Sequence, residues 1–194
     1  MRILTLFSVL FFVPIISVNA QFDTLTDTRD GKIYKTVQIG PQTWMAENLN
    51  FETEKSYCYS KKVENCEKYG RLYRWEAAKQ ACPDGWHLPS DKEWQSLEKE
   101  LGMAEAELVK DNDWRGSDQA TQLMSDSTLG FNMLLGGYRN PPSNYYLMNM
   151  QAFFWTATDN ASHGWYRQMR DGSGQIFRKT RPKSWGMSVR CVKD

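Results

Sequence analysis

Hydrophobic residues recur at helical spacing near the middle of the first half of the chain. Trp75, Ala78 and Cys82 fall at positions i, i+3 and i+7, so they share one face of a helix. This pattern predicts a first helix over Leu72–Ala81. The Pro-Asp-Gly sequence that begins at Pro83 ends it, because proline and glycine interrupt helical geometry.

A second helix is predicted shortly after the first. Ser90 and Glu93 are spaced as in a capping box, in which each side chain bonds the other residue's backbone N–H. Trp94, Leu97 and Leu101 then recur on one helical face. We therefore expect two helices near the N-terminal half, each with one side against a core.

The second half of the chain reads as strands separated by polar segments. Ala152–Thr158 is an apolar strand, and Ser188–Val192 is the last strand. Trp165–Arg170 and Gln175–Lys179 flank the turn-forming segment Asp171–Gly174, which predicts a hairpin. Early helices followed by antiparallel strands predict an α+β domain.

Residues 1–20 have the form of a secretory signal peptide. Arg2 is followed by the apolar run Ile3–Val18, and Ala20 stands where a signal peptidase cleaves. The run is about 16 residues long, short of the roughly 20 needed to span a bilayer. We expect cleavage and no transmembrane segment in the mature chain; the alternative is an uncleaved anchor. Residues 21–30 form a polar lead-in arm, and residues 31–194 form one domain.

The four cysteines predict two disulfides in an exported chain, because the compartment is oxidising. Three connectivities are possible. Cys58 and Cys66 bracket a short polar loop and are paired here, which pairs Cys82 with Cys191. A zinc site is disfavoured because no CxxC pair occurs and neither histidine lies at ligand spacing from a cysteine. We expect no metal and no cofactor.

The net charge of the protein is close to zero, which argues against long-range attraction of a polyanionic partner. The chain has 24 basic and 23 acidic residues, for a formal charge of +1. Loss of Arg2 with the signal peptide brings the mature chain to zero. A neutral protein exerts no long-range attraction on nucleic acid, so we expect no nucleic-acid partner.

The chain carries five characteristic segments in order: VQIGPQTWMAENLNF, CEKYGRLYRWEAA, ACPDGWHLPSDKEW, FFWTAT and GMSVRCVKD. They resemble the Fibrobacter succinogenes major paralogous domain, a family of secreted bacterial proteins, and cover nearly all of residues 31–194. A more distant resemblance is to C-type-lectin-like domains, in which a W-x-x-A-x-x-x-C helix is bridged to a terminal V-x-C strand. The formylglycine-generating enzymes are similar over the final G-x-x-x-R-C.

These resemblances imply a C-type-lectin-like fold. Its features would be two helices near the N-terminal half, antiparallel strands, a long-loop region and termini bridged by a disulfide. Sugar-binding lectins ligate calcium through Glu-Pro-Asn or Gln-Pro-Asp and through Trp-Asn-Asp. Here the corresponding segments begin at Asn140 and Trp155 and read Asn-Pro-Pro and Trp-Thr-Ala. The resemblance therefore does not imply the usual calcium site, and the formylglycine activity is not carried over because all four cysteines are assigned to structure.

Catalytic motifs are weak. His87 and His163 are isolated, and no Gly-x-Ser-x-Gly elbow is present. Glu47 and Asn48, which follow a predicted strand, either orient a loop or touch a ligand.

Aromatic rings near polar segments are the better candidates, because such rings bury much area at low entropic cost. Tyr145, Tyr146, Trp165 and Trp185 lie in such places. The predicted ligand-binding set lies on the long loop between Asn140 and Asn149 and near it: Asn140, Asn144, Tyr145, Tyr146 and Trp165. The alternative is that these rings form a second core.

The leading hypothesis is a secreted, non-enzymatic binding module for a glycan or a cell-surface component, in the periplasm or on the outer surface of a bacterium. The alternatives are a diverged extracellular enzyme acting on polysaccharide or protein, and a structural protein of the cell envelope. Ligand identity and oligomeric state stay open.

Overall fold

The computed structural model describes residues 23–124 and 127–194, and most of that chain is β-sheet with short helices. The predicted signal peptide, residues 1–20, lies outside the described residues. Within them, no helix has the length and apolar character needed to cross a bilayer.

The elements are numbered here in chain order. The strands are β1 (Asp23–Thr26), β2 (Ile33–Ile39), β3 (Gln42–Met45), β4 (Ser56–Tyr57), β5 (Leu72–Arg74), β6 (Trp86–His87), β7 (Asp113–Arg115), β8 (Gly136–Asn140), β9 (Asn144–Met148), β10 (Gln151–Asn160), β11 (His163–Arg170), β12 (Ile176–Pro182), β13 (Gly186–Met187) and β14 (Val192–Lys193). The helices are α1 (Val63–Tyr69), α2 (Trp75–Ala78), α3 (Asp91–Glu100), α4 (Glu105–Leu108) and α5 (Gln119–Leu123).

The strands form three sheets. The terminal sheet has the order β1-β2-β3-β14-β6, the central sheet β10-β11-β12-β7, and the outer sheet β4-β5-β13-β8-β9. All neighbouring strands within these sheets run antiparallel. The predicted mixture of helices with antiparallel strands is confirmed, and within the predicted lead-in arm Asp23–Thr26 is strand β1 of the terminal sheet.

The first predicted helix is shorter than its hydrophobic spacing indicated. Leu72–Arg74 is strand β5, which pairs with β4 and β13, and only Trp75–Ala78 is helical. Leu72 and Tyr73 fit the hydrophobic spacing of a helix and also that of a strand. The pairing of Tyr73 with Met187 of β13 stabilises the strand. The inward face was predicted correctly, since Trp75 and Ala78 are buried.

The second helix, α3, begins as predicted. The Ser90 hydroxyl accepts the backbone N–H of Glu93 at 3.2 Å, and the Glu93 carboxylate accepts the backbone N–H of Ser90 at 2.7 Å. This reciprocal capping box satisfies donors that a helix N-terminus otherwise leaves unpaired. Trp94, Leu97 and Leu101 are buried beneath the helix.

The central sheet separates two hydrophobic cores. Phe154 and Met169 pack in one core with Trp94 of α3, whereas Phe153 and Tyr166 belong to the other. Adjacent residues of a strand point to opposite sides, so this alternation defines two faces. We call the side under α3 the helix face and the other side the open face, because part of it reaches solvent.

Both predicted disulfides are present, and the described residues contain no free cysteine. Cys58–Cys66 joins residues only 8 apart, and Cys82–Cys191 joins residues 109 apart. The longer bridge ties the segment before β14 to the chain just after α2. The N-terminal strands and β14 then share the terminal sheet.

Candidate functional site

The predicted long loop is largely a hairpin. Strands β8 and β9 pair from Gly136 with Met148 to Asn140 with Asn144, so the two asparagines face each other at the hairpin tip. Asn144 is exposed and Asn140 half-buried. The many asparagines and prolines of this segment hid the strand alternation, since such residues are typical of loops.

The structure places Tyr145 and Tyr146 on opposite sides of this hairpin. Tyr145 contacts the ring of Tyr59, with centroids 5.2 Å apart, and lines a shallow pocket with Tyr57 and Cys58. Tyr146 stacks instead on Tyr138, its cross-strand neighbour, at 5.4 Å. The two predicted tyrosines therefore do not form one surface.

Trp165 lies apart from both tyrosines, on the helix face of the central sheet. The Arg178 guanidinium sits 3.9 Å from the centroid of its ring, and Asp91 of α3 holds that guanidinium at 2.7 Å. Strand alternation places Trp165 and Arg167 on the same side, under the helix. Its neighbour along β11, Tyr166, is the residue that turns towards the open face.

Three stacked rings form a feature that we call the aromatic row. Tyr138 lies between Tyr146, at 5.4 Å, and Trp185, at 4.8 Å with ring planes only 10° apart. Phe153 of the central sheet meets Tyr138 edge-on at 4.8 Å and fixes its position. Tyr146 is 42% exposed, and Tyr138 and Trp185 are half-buried. The row is thus anchored in the second core and reaches solvent at Tyr146.

The open face continues beside the row as a band of amides and cations, which we call the polar strip: Gln151, Gln168, Arg170, Lys179 and Arg181. Gln168 donates its side-chain amide to that of Gln151 at 2.7 Å. Arg170 lies 4.5 Å from the Trp114 ring centroid, and Arg181 lies 5.1 Å from that of Trp185.

Two tyrosine hydroxyls near the strip stay protonated at neutral pH. Burial raises the pKa of Tyr138, and the Tyr146 hydroxyl adds to this, whereas Arg181 opposes it. Burial also raises the pKa of Tyr166, again against Arg181. The Tyr166 hydroxyl is buried and donates to the Gln168 side chain at 3.3 Å, whereas Tyr138 is half-buried and keeps its hydroxyl proton for donation.

A separate polar cleft of about 330 Å³ is lined by Lys32, Glu47, Asn48 and Asn50, among other residues. Its side chains are mostly engaged in holding the fold. Glu47 accepts the backbone N–H of Lys35 at 2.9 Å, and Asn48 donates to the Tyr69 carbonyl at 2.8 Å. These contacts favour the loop-orienting interpretation of Glu47 and Asn48.

Arg190 is buried next to this cleft. Its guanidinium donates to the Asn48 side chain at 2.5 Å and to the carbonyls of Met45, at 3.2 Å, and Phe131. Burial lowers the pKa of Arg190 to about 9, against an opposing influence of Glu47. The guanidinium therefore stays charged at neutral pH, and carbonyl and amide oxygens satisfy it.

The two histidines lie in different surroundings. His163 meets the hydroxyl of its neighbour Ser162 at 2.9 Å in an exposed position, and His87 lies between two carboxylates. Within residues 23–124 and 127–194, no three His, Cys, Asp or Glu side chains are grouped to hold a metal ion.

His87 makes stability depend on pH. Its ring lies 2.6 Å from Asp194 and 2.7 Å from Glu93. Burial disfavours the charged ring, but the hydrogen bonds to Asp194 and Glu93 outweigh burial and raise the pKa of His87. Because the folded pKa exceeds the unfolded one, the stabilisation is complete below about pH 6.5 and is lost as pH rises through the folded value.

We therefore expect His87→Gln to reduce the free energy of unfolding more at about pH 5 than at about pH 9. Urea denaturation at both values measures the difference. His163→Gln is the matched control, because it removes a histidine whose ring contacts the neutral Ser162 hydroxyl and not a carboxylate. Equal losses for His87→Gln at the two pH values would contradict the charged bridge.

The geometry thus defines a disulfide-bridged domain of helices and antiparallel sheets with an aromatic, solvent-facing sheet surface. The Fibrobacter succinogenes major domain pattern matches residues 37–193, and the chain belongs to this family, as its sequence segments predicted. Comparison with curated proteins and with solved structures gave no match.

Of the predicted ligand-binding residues, Tyr146 belongs to the aromatic row, and the register places Asn140 and Asn144 on the same side of the hairpin at its tip. Tyr145 and Trp165 lie elsewhere. Tyr138 and the polar strip were missed. The strip residues of the β11–β12 hairpin follow a pattern that is visible in the sequence. Every second residue lies on one face: Tyr166, Gln168 and Arg170 on one strand and Phe177, Lys179 and Arg181 on the other. Reading every second residue of a hairpin as one face would have found them.

Proposed function

We propose that this domain is a secreted, non-enzymatic binding module with a C-type-lectin-like fold, and that it binds a glycan or cell-surface component without calcium. The aromatic row beside the Gln151–Gln168 amide pair is the observation that carries the proposal. Rings pack against the apolar faces of sugars, and amides bond their hydroxyls. The fold assignment is supported by a Trp75–Ala78 helix whose following cysteine is bridged to the C-terminal segment.

Export to the periplasm or the outer surface is part of this proposal. Two disulfides support an oxidising compartment, and the signal-like residues 1–20 agree with it. Binding without calcium is supported by the hairpin tip, where Asn140 is followed by two prolines rather than by a carboxylate.

The test is affinity electrophoresis of the purified domain against a panel of soluble polysaccharides, with and without a chelator. Tyr146→Ala and Trp185→Ala should each weaken binding roughly tenfold, the usual effect of removing an aromatic anchor. The chelator should change nothing. Melting temperatures of the variants show whether any loss reflects unfolding.

Tyr145→Ala is the matched control, because this ring of the same hairpin points to the opposite side. It should bind like the parent domain. Binding that depends on Tyr145 but not on Tyr146, binding lost with the chelator, or no binding to any polysaccharide of the panel would each contradict the proposal.

A further inference from the structure

We infer that the ligand of the open face is an acidic glycan, whose sugar carboxylates meet the three cations of the polar strip. The inference rests on the proposed function and adds the chemical class of the ligand. It arises from a separate observation, namely the charge of the open face.

The three cations share this face because of the strand register. Lys179 pairs with Tyr166, and Arg181 pairs with Gly164, two residues before Tyr166. The side chains of Lys179, Arg181 and Tyr166 therefore lie on one side of the sheet. Arg170 pairs with Gln151, and its contact with the Trp114 ring places it on the same side. The position of each cation is therefore set by backbone pairing.

No acid balances these cations. Within the described strands of the central sheet, Asp159 is the one carboxylate at an open-face position; it pairs with Gly164 and binds Lys183 at 2.6 Å. The other open-face positions carry none: Trp114, Gln151, Phe153, Trp155, Gly164, Tyr166, Gln168, Arg170, Phe177, Lys179 and Arg181. Asp171, in the turn after Arg170, forms no ion pair with it, and among the described residues neither Lys179 nor Arg181 forms one.

The contrast with the other cations of this sheet is clear. Arg167 and Arg178, on the helix face, both contact Asp91, at 2.6 and 2.7 Å. Lys183, at the end of the sheet, contacts Asp159 at 2.6 Å. On this sheet the cations of the helix face and of the sheet end contact carboxylates, whereas those of the polar strip do not. The strip cations are therefore available to an external anion.

The spacing of the charges fits a repeating anion. Lys179 and Arg181 are two residues apart on β12, or about 7 Å. Arg170 extends the row from the far end of the hairpin, so the whole row spans roughly 20 Å. A polymer that carries one carboxylate on each sugar presents charge at intervals along such a row, while its rings and hydroxyls face the aromatic row and the amide pair.

The test compares two polymers with the same sugar backbone: polygalacturonate, and its methyl-esterified form, whose carboxylates are neutral. Binding of the full domain to each is measured by isothermal titration at low and high salt. We expect at least tenfold tighter binding to polygalacturonate, and we expect added salt to weaken it.

The triple variant R170Q/K179Q/R181Q should lose about tenfold or more in affinity for polygalacturonate, since charge-assisted contacts are lost. Its affinity for the esterified polymer should fall much less, because the neutral sugars of that polymer make no charge-assisted contact. The matched control is K62Q/K92Q/K193Q, which removes the same charge from exposed positions elsewhere and should bind like the parent domain.

Several results would overturn the inference. If both polymers bind equally well, and only Tyr146→Ala weakens the binding, the domain is a glycan-binding module that does not select acidic sugars. Equal weakening by the two triple variants would indicate unspecific attraction. Equally tight binding of polyphosphate or single-stranded DNA would show that a polyanion, not a glycan, is recognised. Binding of neither polymer, with no effect of Tyr146→Ala on any ligand, would reject the proposed function itself.

Discussion

Replacing Cys82 and Cys191 together by alanine is expected to lower the free energy of unfolding by about 4 to 5 kcal/mol. The bridge joins residues 109 apart, so its loss frees a long loop in the unfolded chain and raises the entropy of that state. The double variant leaves no unpaired thiol that might react. Chemical denaturation at equilibrium measures the loss.

The control for this prediction is the double variant of Cys58 and Cys66. Its loop is far shorter, with a separation of 8 residues, and the same entropic argument gives a loss of about 2.5 kcal/mol. The two losses should therefore differ by about 2 kcal/mol. Equal losses, or a larger one for the short bridge, would show that native-state packing and not chain entropy dominates.

Loss of the Glu98 carboxylate is the second change with a large expected effect. Glu98 is fully buried on the inner side of α3 and accepts two hydrogen bonds from Arg115, at 2.9 and 3.0 Å, and one from Arg167 at 2.5 Å. Arg167 also contacts Asp91 at 2.6 Å. The cluster fixes α3 on the central sheet through charges that would be costly to bury alone.

Glu98→Gln should lower the free energy of unfolding by about 3 to 5 kcal/mol, because it leaves Arg115 without its carboxylate in the interior. The substitution keeps the shape of the side chain, so the loss reports charge and not a cavity. Thermal and urea denaturation both measure it. Glu105→Gln is the control; it breaks an exposed contact with Lys99 at 2.5 Å and should leave the free energy of unfolding nearly unchanged, because solvent screens such pairs.

A loss below about 1 kcal/mol for Glu98→Gln would mean that the buried arginines find other acceptors. The Leu108 carbonyl, which already accepts from Arg115 at 2.9 Å, is the nearest alternative. A crystal structure of the variant would show whether that carbonyl, or a new water molecule, takes over.

The local features of this fold were predictable because they depend on short stretches of sequence. The capping box at Ser90, the buried face of α3 and the β11–β12 hairpin all follow from residues within a few positions of one another. The first helix was predicted too long because Leu72 and Tyr73 fit both helical and strand spacing. They form a strand because Tyr73 pairs with Met187, more than a hundred residues away along the chain.

The site was harder to predict than the fold because ring exposure depends on which sheet covers a strand. Trp165 and Tyr166 are adjacent aromatic residues, yet one lies under α3 and the other faces the outer sheet. Nothing in the local sequence says which of the two faces the helix covers. The third ring of the aromatic row also comes from a distant segment, since Trp185, which stacks on Tyr138, lies 47 positions further along the chain than Tyr138.

The short strands β13 and β14 have a consequence for the order of folding. In the outer sheet β13 lies between β5 and β8, and in the terminal sheet β14 lies between β3 and β6. Ser188, between them, bridges to Phe154 of the central sheet. Residues 186–193 thus complete two sheets and contact the third, although the ribosome makes them after every other strand. The domain can therefore complete its sheets only once this segment has been made, through contacts between residues distant in sequence, which slow folding.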